Sequence, residues 1–374
     1  MHLGLDAVGV KHGGGAVILA DLLGAAYRSR AVTQVSVFCT PRSLRRFDFP
    51  ESEKLQMVEK KSAEDGRTGR MRWLLHGQAA AARALRLDAL ISMGGIAVGR
   101  SAAIKVVFIQ QSLPFCAEAL SRCGRGTDIR MAVMRRLMKA SCSDADLIVA
   151  QTPTMATWVA EGLGLQRKRV QVVLPWVNGI GLDEEQDGSA DAMLSVPRGK
   201  RLLYVGNASP YKNLKCLIDA LPAIRRHVPG ATLFMTCAAD LPLCQAEGVV
   251  ALGYLGGKSL RAAYGHATLF ITASLVESGN VVLTEAMSLG TPIIAAARPY
   301  ARDLCGAAAT YFDPYNPEAL AACAIDLLKD EEKRRTQARL GTEMAARYRN
   351  SRPSDGLIET VLMMAGNNGQ YKSV

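Results

Sequence analysis

A chain of 374 residues with 49% hydrophobic and 21% charged residues has globular composition, and at roughly 150 residues per domain it is long enough for two. Its longest charge-free run, Ala262 to Val276, holds 15 residues against the ~20 apolar ones that a membrane-crossing helix takes, so no transmembrane helix is expected. The first ten residues carry Asp6 and no basic residue ahead of an apolar core, which argues against a secretory leader and for a cytoplasmic chain. Nine cysteines, none in a Cys-x-x-Cys pair or at zinc-finger spacing, read as small buried side chains rather than as a disulfide framework or metal site.

The net charge of +11 is unevenly placed. Between Arg42 and Lys139, 19 Lys and Arg stand against 9 Asp and Glu, so the first half of the chain owns the basic surface. Such a face serves nucleic acid, an anionic bilayer, a phosphorylated substrate or simply solubility. Arg67, Arg70 and Arg72 adjoin a single Trp73, and the cations from Arg130 to Lys139 have no aromatic among them, so stacking platforms are missing. Nucleic acid is therefore set aside in favour of membrane or phosphate contact.

Short β-rich runs alternate with longer helical patterns in two series, the rhythm of parallel sheets covered on both faces. The first series predicts strands at 3–8, 34–38, 89–92, 106–110, 147–150 and 170–174. A Gly-rich, acidic stretch at 178–200 reads as a linker. The second series predicts strands at 201–205, 231–237, 249–255, 268–272, 292–296 and 309–312. One helical stretch at 320–348 follows, then a last helix at 356–364 and a frayed tail. The expected division is residues 1–177, a linker at 178–200, residues 201–350, and a C-terminal helix at 351–374 that crosses back to the first domain. Two doubly wound domains in tandem place function in the loops beyond the carboxyl ends of their strands.

Three such loops carry candidate chemistry. Gly13, Gly14 and Gly15 precede a helical pattern, and their unshielded N–H groups suit either an anion or a tight turn. Lys212 falls near the start of a helix after the strand ending at Val205 and Gly206. There it opposes the helix dipole unless an anion binds, or is a plain surface lysine. Glu277 and Glu285 stand eight apart across a strand–loop–helix junction, suited to the diols of a sugar or ribose, or to solvation. Asp144-Ala145-Asp146 precedes a first-domain strand and reads as capping or surface.

Together these motifs resemble the family-4 (GT4) nucleotide-sugar-dependent glycosyltransferases of GT-B fold. The resemblance rests on Glu277-x7-Glu285, Gly290-Thr291-Pro292, Val205-Gly206 and Pro210-x-Lys212-Asn213, and more thinly on the glycine run and Gln151-Thr152-Pro153. It implies two Rossmann-like domains facing each other across a cleft, with an acceptor-binding first domain and a donor-binding second. It also implies retaining, metal-independent transfer of a hexose from a nucleoside diphosphate sugar, UDP- or GDP-linked, to a glycan or lipid-linked acceptor, with no further cofactor. Lys212 would neutralise the departing diphosphate and Glu277 would contact the donor sugar. Glu285 would hold the ribose, Leu255 the base, and the backbone at Ser278, Gly279, Asn280 and Val281 the phosphates, with Gly206 and Asn207 lining the donor. Gly13 to Gly15 would close over the diphosphate or acceptor, and His12, Gln110 and Gln111 would face the acceptor. Three positions depart from the family pattern: Asn207 in place of a common arginine, Ser278-Gly279-Asn280 in place of Gly-Phe-Gly, and Gln110-Gln111 in place of a histidine. An epimerase or phosphorylase of the same architecture, and a catalytically silent binding protein, are the alternatives.

Overall fold

The computed structural model describes residues 1–10, 13–41, 52–64, 66–99, 101–175 and 189–371, which fall into two compact units. Unit 1 comprises Met1–Cys116, Gly126–Trp176 and Arg352–Val374; unit 2 comprises Ala117–Arg125 and Val177–Ser351. Residues 117–125, which the sequence pattern places with the first domain, thus group with the second. Glu118 accepts hydrogen bonds there from both terminal nitrogens of Arg298 and from the Tyr315 hydroxyl, and Arg122 lies 5.1 Å from the Tyr315 ring centroid.

Unit 1 is built on a parallel seven-stranded sheet of order β3-β2-β1-β4-β5-β6-β7 among the described residues. Its strands are β1 (His2–Asp6), β2 (Gln34–Cys39), β3 (Leu55–Glu59), β4 (Ala89–Ser92), β5 (Ile104–Ile109), β6 (Leu147–Ala150) and β7 (Val170–Val172). Inner strands such as β4 and β5 are hydrophobic on both faces because helices cover both sides. β3 has no counterpart in the expected strands. It is a five-residue edge strand, partly exposed, in which Gln56 and Glu59 break up Leu55, Met57 and Val58, so the signal of a buried face is weak.

Unit 2 has a parallel six-stranded sheet of order β10-β9-β8-β11-β12-β13. It comprises β8 (Arg201–Tyr204), β9 (Thr232–Met235), β10 (Val249–Ala251), β11 (Leu269–Thr272), β12 (Ile293–Ala296) and β13 (Ala309–Phe312). Leu202, Tyr204, Leu233, Met235, Leu269 and Ile271 pack there against the buried face of the Leu214–His227 helix.

Local chemistry explains the helix ends. Thr152 caps Pro153–Leu163 by accepting from the Met155 N–H at 3.1 Å, and Gly164 closes it in the left-handed region. The helical stretch expected at 320–348 is two helices, Pro317–Lys329 and Glu331–Ser351. Asp330 leaves helical geometry between them and caps the second by accepting from Lys333 N. The last helix is also longer than its pattern, running Pro353–Tyr371 rather than fraying after 364, and its first turns dock in unit 1. Ser354 donates to buried Asp21, Arg28 pairs with Asp355, and Leu357, Ile358 and Val361 are buried. Residues 178–188 of the expected linker lie outside the described residues; 189–195 form a 3-10 helix. Asp144 pairs with Lys105 at 2.7 Å and Asp146 accepts from the Lys105 backbone N–H, so this pair of acids tethers β5 to β6.

Candidate functional site

In each sheet the strand order reverses next to the unit's first strand, between β1 and β4 and between β8 and β11. Loops leaving such a reversal splay apart and open a crevice beyond the carboxyl ends. In unit 2 these loops are the ones that carry Lys212 and Glu277.

The loop after β8 is held from several sides. Gly206 has φ +147°, and a Cβ there would sit 2.7 Å from the Tyr204 hydroxyl, so glycine is required. The Gly206 N–H donates to Thr236 Oγ1, and the Tyr204 hydroxyl donates to the Asn207 carbonyl at 2.7 Å. Asn207 turns its own side chain inward along the chain, its Oδ1 accepting from the Ser209 N–H. Pro210–Lys212 then forms a 3-10 turn. Asn213, left-handed at φ +55°, starts the next helix and donates through Nδ2 to the Pro314 carbonyl.

A backbone bond from Leu275 N–H to the Tyr211 carbonyl ties this loop to the one after β11. The two loops bring Lys212 Nζ to 2.5 Å from Glu277 Oε1, with both side chains less than 15% exposed. Burial opposes the ammonium charge, but the adjoining Glu277 carboxylate outweighs it and holds the Lys212 pKa above its ordinary value. This pairing had no signal in the sequence, where the two residues stand 65 apart.

The helix Val281–Ser288 begins beside Glu277. Asn280 caps it from the left-handed region at φ +36°, and its side chain is buried with no hydrogen-bond partner for Nδ2. A buried donor without a partner next to a helix N-terminus fits an oxygen-rich ligand. Glu285 lies one turn in, buried, and accepts from the Tyr264 hydroxyl at 2.9 Å. Burial raises its pKa to about 7, against the lowering effect of that hydrogen bond. Tyr264, invisible in the sequence as a site residue, is therefore the group that orients Glu285. Leu255 is buried and follows the positive-φ Gly253, while Tyr254 between them is exposed.

Unit 1 contributes the glycine run. Gly13 has φ +67° and precedes the Gly14–Arg28 helix as its cap, where it has no side chain to bond the first turn. The Gln110 side-chain oxygen lies 3.9 Å from the place of a Cβ on Gly15, so Gln110 adjoins the run; Gln111 beside it is exposed. His12 lies outside the described residues.

Sequence comparison matches residues 199–330 to the family described as "Glycosyl transferases group 1". A D-inositol 3-phosphate glycosyltransferase of Segniliparus rotundus is 26% identical over 236 residues, 58% of this chain and 52% of that protein. A phosphatidyl-myo-inositol mannosyltransferase of Mycobacterium leprae is 29% identical over 213 residues, 54% of each. The chain thus spans about half the length of the curated relatives it matches. Among solved structures, the Anabaena Alr3699/HepE complex with UDP and glucose aligns over 96% of this chain and 99% of that one, at TM-score 0.69 and 18% identity. Sucrose-phosphate synthase of Thermosynechococcus elongatus aligns over 99% and 98%, at TM-score 0.72 and 17% identity. The fold is accordingly GT-B, and residues 199–330 are similar to the group 1 glycosyltransferase family.

Proposed function

We propose that this chain is a retaining glycosyltransferase that moves a hexose from a UDP- or GDP-linked donor to an acceptor hydroxyl in the assembly of a glycan or glycolipid. The observation that carries the reading is the Lys212–Glu277 pair, set by the loops after β8 and β11 beside the N-terminus of Val281–Ser288. Departure of a nucleoside diphosphate builds negative charge, and a preorganised cation with uncovered helix N–H groups lowers that barrier without rearranging. In this reading Lys212 and the backbone of Ser278 to Val281 take the diphosphate, with Gly206 and Asn207 beside it. Glu277 meets the sugar and keeps Lys212 aimed, Glu285 takes the ribose hydroxyls, and Leu255 meets the base. Gly13 to Gly15, Gln110 and Gln111, with His12, serve the acceptor. The bond from the anomeric carbon to the diphosphate breaks while the acceptor oxygen bonds to the same face, and its proton passes to the departing phosphate. In this reading Lys212 and the helix N–H groups, rather than a metal ion, face the developing charge.

Relatives named for inositol phosphate and phosphatidylinositol acceptors, and a solved neighbour holding UDP and glucose, support the donor and acceptor classes. A peripheral membrane contact, on the cytoplasmic side, is part of the proposal. The Arg125–Ser143 helix exposes Ile129 and Val133 among Arg130, Arg136 and Lys139, apolar groups between cations as an anionic bilayer surface favours, and no helix among the described residues is long and apolar enough to cross a membrane.

The test is a thermal-shift and calorimetric series of UDP, GDP, ADP and dTDP with their sugars, with and without EDTA, beside Lys212→Ala. A nucleotide that stabilises the parent and not the variant, followed by acceptor-dependent release of nucleoside diphosphate and a retained anomeric configuration, is the expected result. Turnover without acceptor, or only with inorganic phosphate, would instead indicate an epimerase or a phosphorylase.

A further inference from the structure

The carboxyl ends of β1, β2 and β3 lie together at one edge of unit 1, and two cations that the donor chemistry does not use sit there. Lys60 follows β3, its N–H donating to the Cys39 carbonyl at 2.8 Å. Its ammonium lies 5.3 Å from the Trp73 ring centroid and 5.5 Å from that of Phe38, two rings themselves 5.4 Å apart. Arg70, one turn before Trp73, lays its guanidinium over the backbone after β1, with Nη2 2.6 Å from the place of a Cβ on Gly9. Among the described residues, neither cation has a carboxylate within ion-pairing distance.

The nearby carboxylate, Asp6, is occupied. It is buried at the end of β1, where Oδ1 accepts from Trp73 Nε1 at 3.1 Å and from Val8 N–H, and Oδ2 accepts from Gln78 Nε2 at 2.6 Å. Asp6 therefore anchors the platform through these hydrogen bonds, and its charge also attracts the Arg70 guanidinium without forming an ion pair with it. Trp73 opens a π-helical turn, Trp73–Gly77, a rare irregularity that re-aims side chains. Gly77 permits it, because a Cβ there would meet the indole at 2.4 Å.

We infer that this edge of unit 1 is a phosphate-ester subsite in which Lys60 and Arg70 grip the anionic group of the acceptor, with Asp6 and Trp73 as positioning residues. The aromatic faces hold the Lys60 ammonium in place and limit its hydration, and Arg70 offers the planar fork that matches phosphate oxygens. The assignment of this ligand as acceptor rests on the glycosyltransferase reading; the anion site itself does not.

The experiment titrates the full chain at low salt with glucose 6-phosphate, with glucose, and with vesicles of phosphatidylinositol in phosphatidylcholine or of phosphatidylcholine alone, while UDP binding is measured separately. Loss of one charged hydrogen-bonding partner should weaken binding of the phosphate ester by roughly tenfold in Lys60→Gln and in Arg70→Gln, with UDP binding unchanged and Lys60→Arg largely restoring affinity. Dependence seen with glucose 6-phosphate names a soluble ester, and dependence seen with phosphatidylinositol vesicles alone names a lipid headgroup; either supports the subsite. Phosphate binding that ignores both substitutions, or no preference for phosphate over glucose or for phosphatidylinositol over phosphatidylcholine, overturns it. Should the ester bind through Lys60 and Arg70 while no nucleotide binds, the subsite stands and the glycosyltransferase reading fails.

Discussion

Each unit buries one carboxylate near its strand-order reversal, and the two are built differently. Asp6 in unit 1 receives three hydrogen bonds, from Val8 N–H, Trp73 Nε1 and Gln78 Nε2. Glu285 in unit 2 receives one among the described residues, from Tyr264. Burial raises both, Asp6 to about 6 and Glu285 to about 7, with hydrogen bonds opposing the shift in each case. A carboxylate saturated with donors holds structure together, whereas one left with spare acceptor capacity beside a helix N-terminus is a place to receive hydroxyl groups. The same contrast separates the loops after β1 and β8. The first is a run of glycines, and the second carries a buried ion pair.

Four sets of variants test the contrast between the two units. Lys212→Ala should cost two to three orders of magnitude in kcat, as loss of one preorganised transition-state donor typically does, with an unchanged circular dichroism spectrum; near-parent turnover would remove unit 2's loop from the chemistry. Glu285→Gln should stabilise the protein while weakening nucleotide binding. A carboxyl group whose folded pKa is about 7 against an unfolded 4.5 contributes stability that is fully present below pH 4.5 and is lost as pH rises through 7. The glutamine variant should therefore gain up to about 3 kcal/mol at pH 8 and little at pH 4.5, read as denaturant midpoints. A pH-independent difference would show that Glu285 is not buried as described.

Asp6→Ala should do the opposite and destabilise, by about 2 kcal/mol, because the Trp73 and Gln78 donors lose their acceptor in the interior. Asp6→Asn, which keeps an acceptor oxygen, should recover part of that, and identical melting of both variants and the parent would make the Asp6 network ornamental. The smallest effect is expected from Tyr264→Phe, about 1 kcal/mol in stability for one hydrogen bond. Its distinctive sign is a pH profile. Without the hydroxyl, Glu285 holds its proton to higher pH, so the pH dependence of nucleotide affinity should move upward, and an unmoved profile would deny Tyr264 its orienting role.

Much of the fold was legible because local patterns agree with the tertiary arrangement. Inner strands such as Val106–Ile109 are continuous apolar runs, Thr152-Pro153 is a cap followed by proline, and Gly206 sits where the chain must take a conformation that a Cβ forbids. Of the candidate site, Lys212, Glu277 and Glu285 stood out through residue type at strand–loop–helix junctions. β3 was not legible, since a partly exposed edge strand of five residues carries too short a pattern, and the final helix starts earlier than its own pattern where Ser354 and Asp355 dock. Cysteines read as small buried side chains are mostly that, and burial pushes the thiols of Cys39, Cys142 and Cys305 up to about 12.

Two parallel α/β units, their strands other than β3, the glycines at forced turns and the residue types in the loops after β8 and β11 could be read from the amino-acid sequence, because these depend on interactions within a few residues of the chain. Only the tertiary structure decided that Lys212 pairs with Glu277 across 65 residues, that Tyr264 orients Glu285, that Asp6 anchors Trp73, and that residues 117–125 join unit 2 through Glu118 and Arg298. Those are contacts between distant segments, and their strength comes from burial and fixed geometry, which exist only once the sheets have brought the loops together.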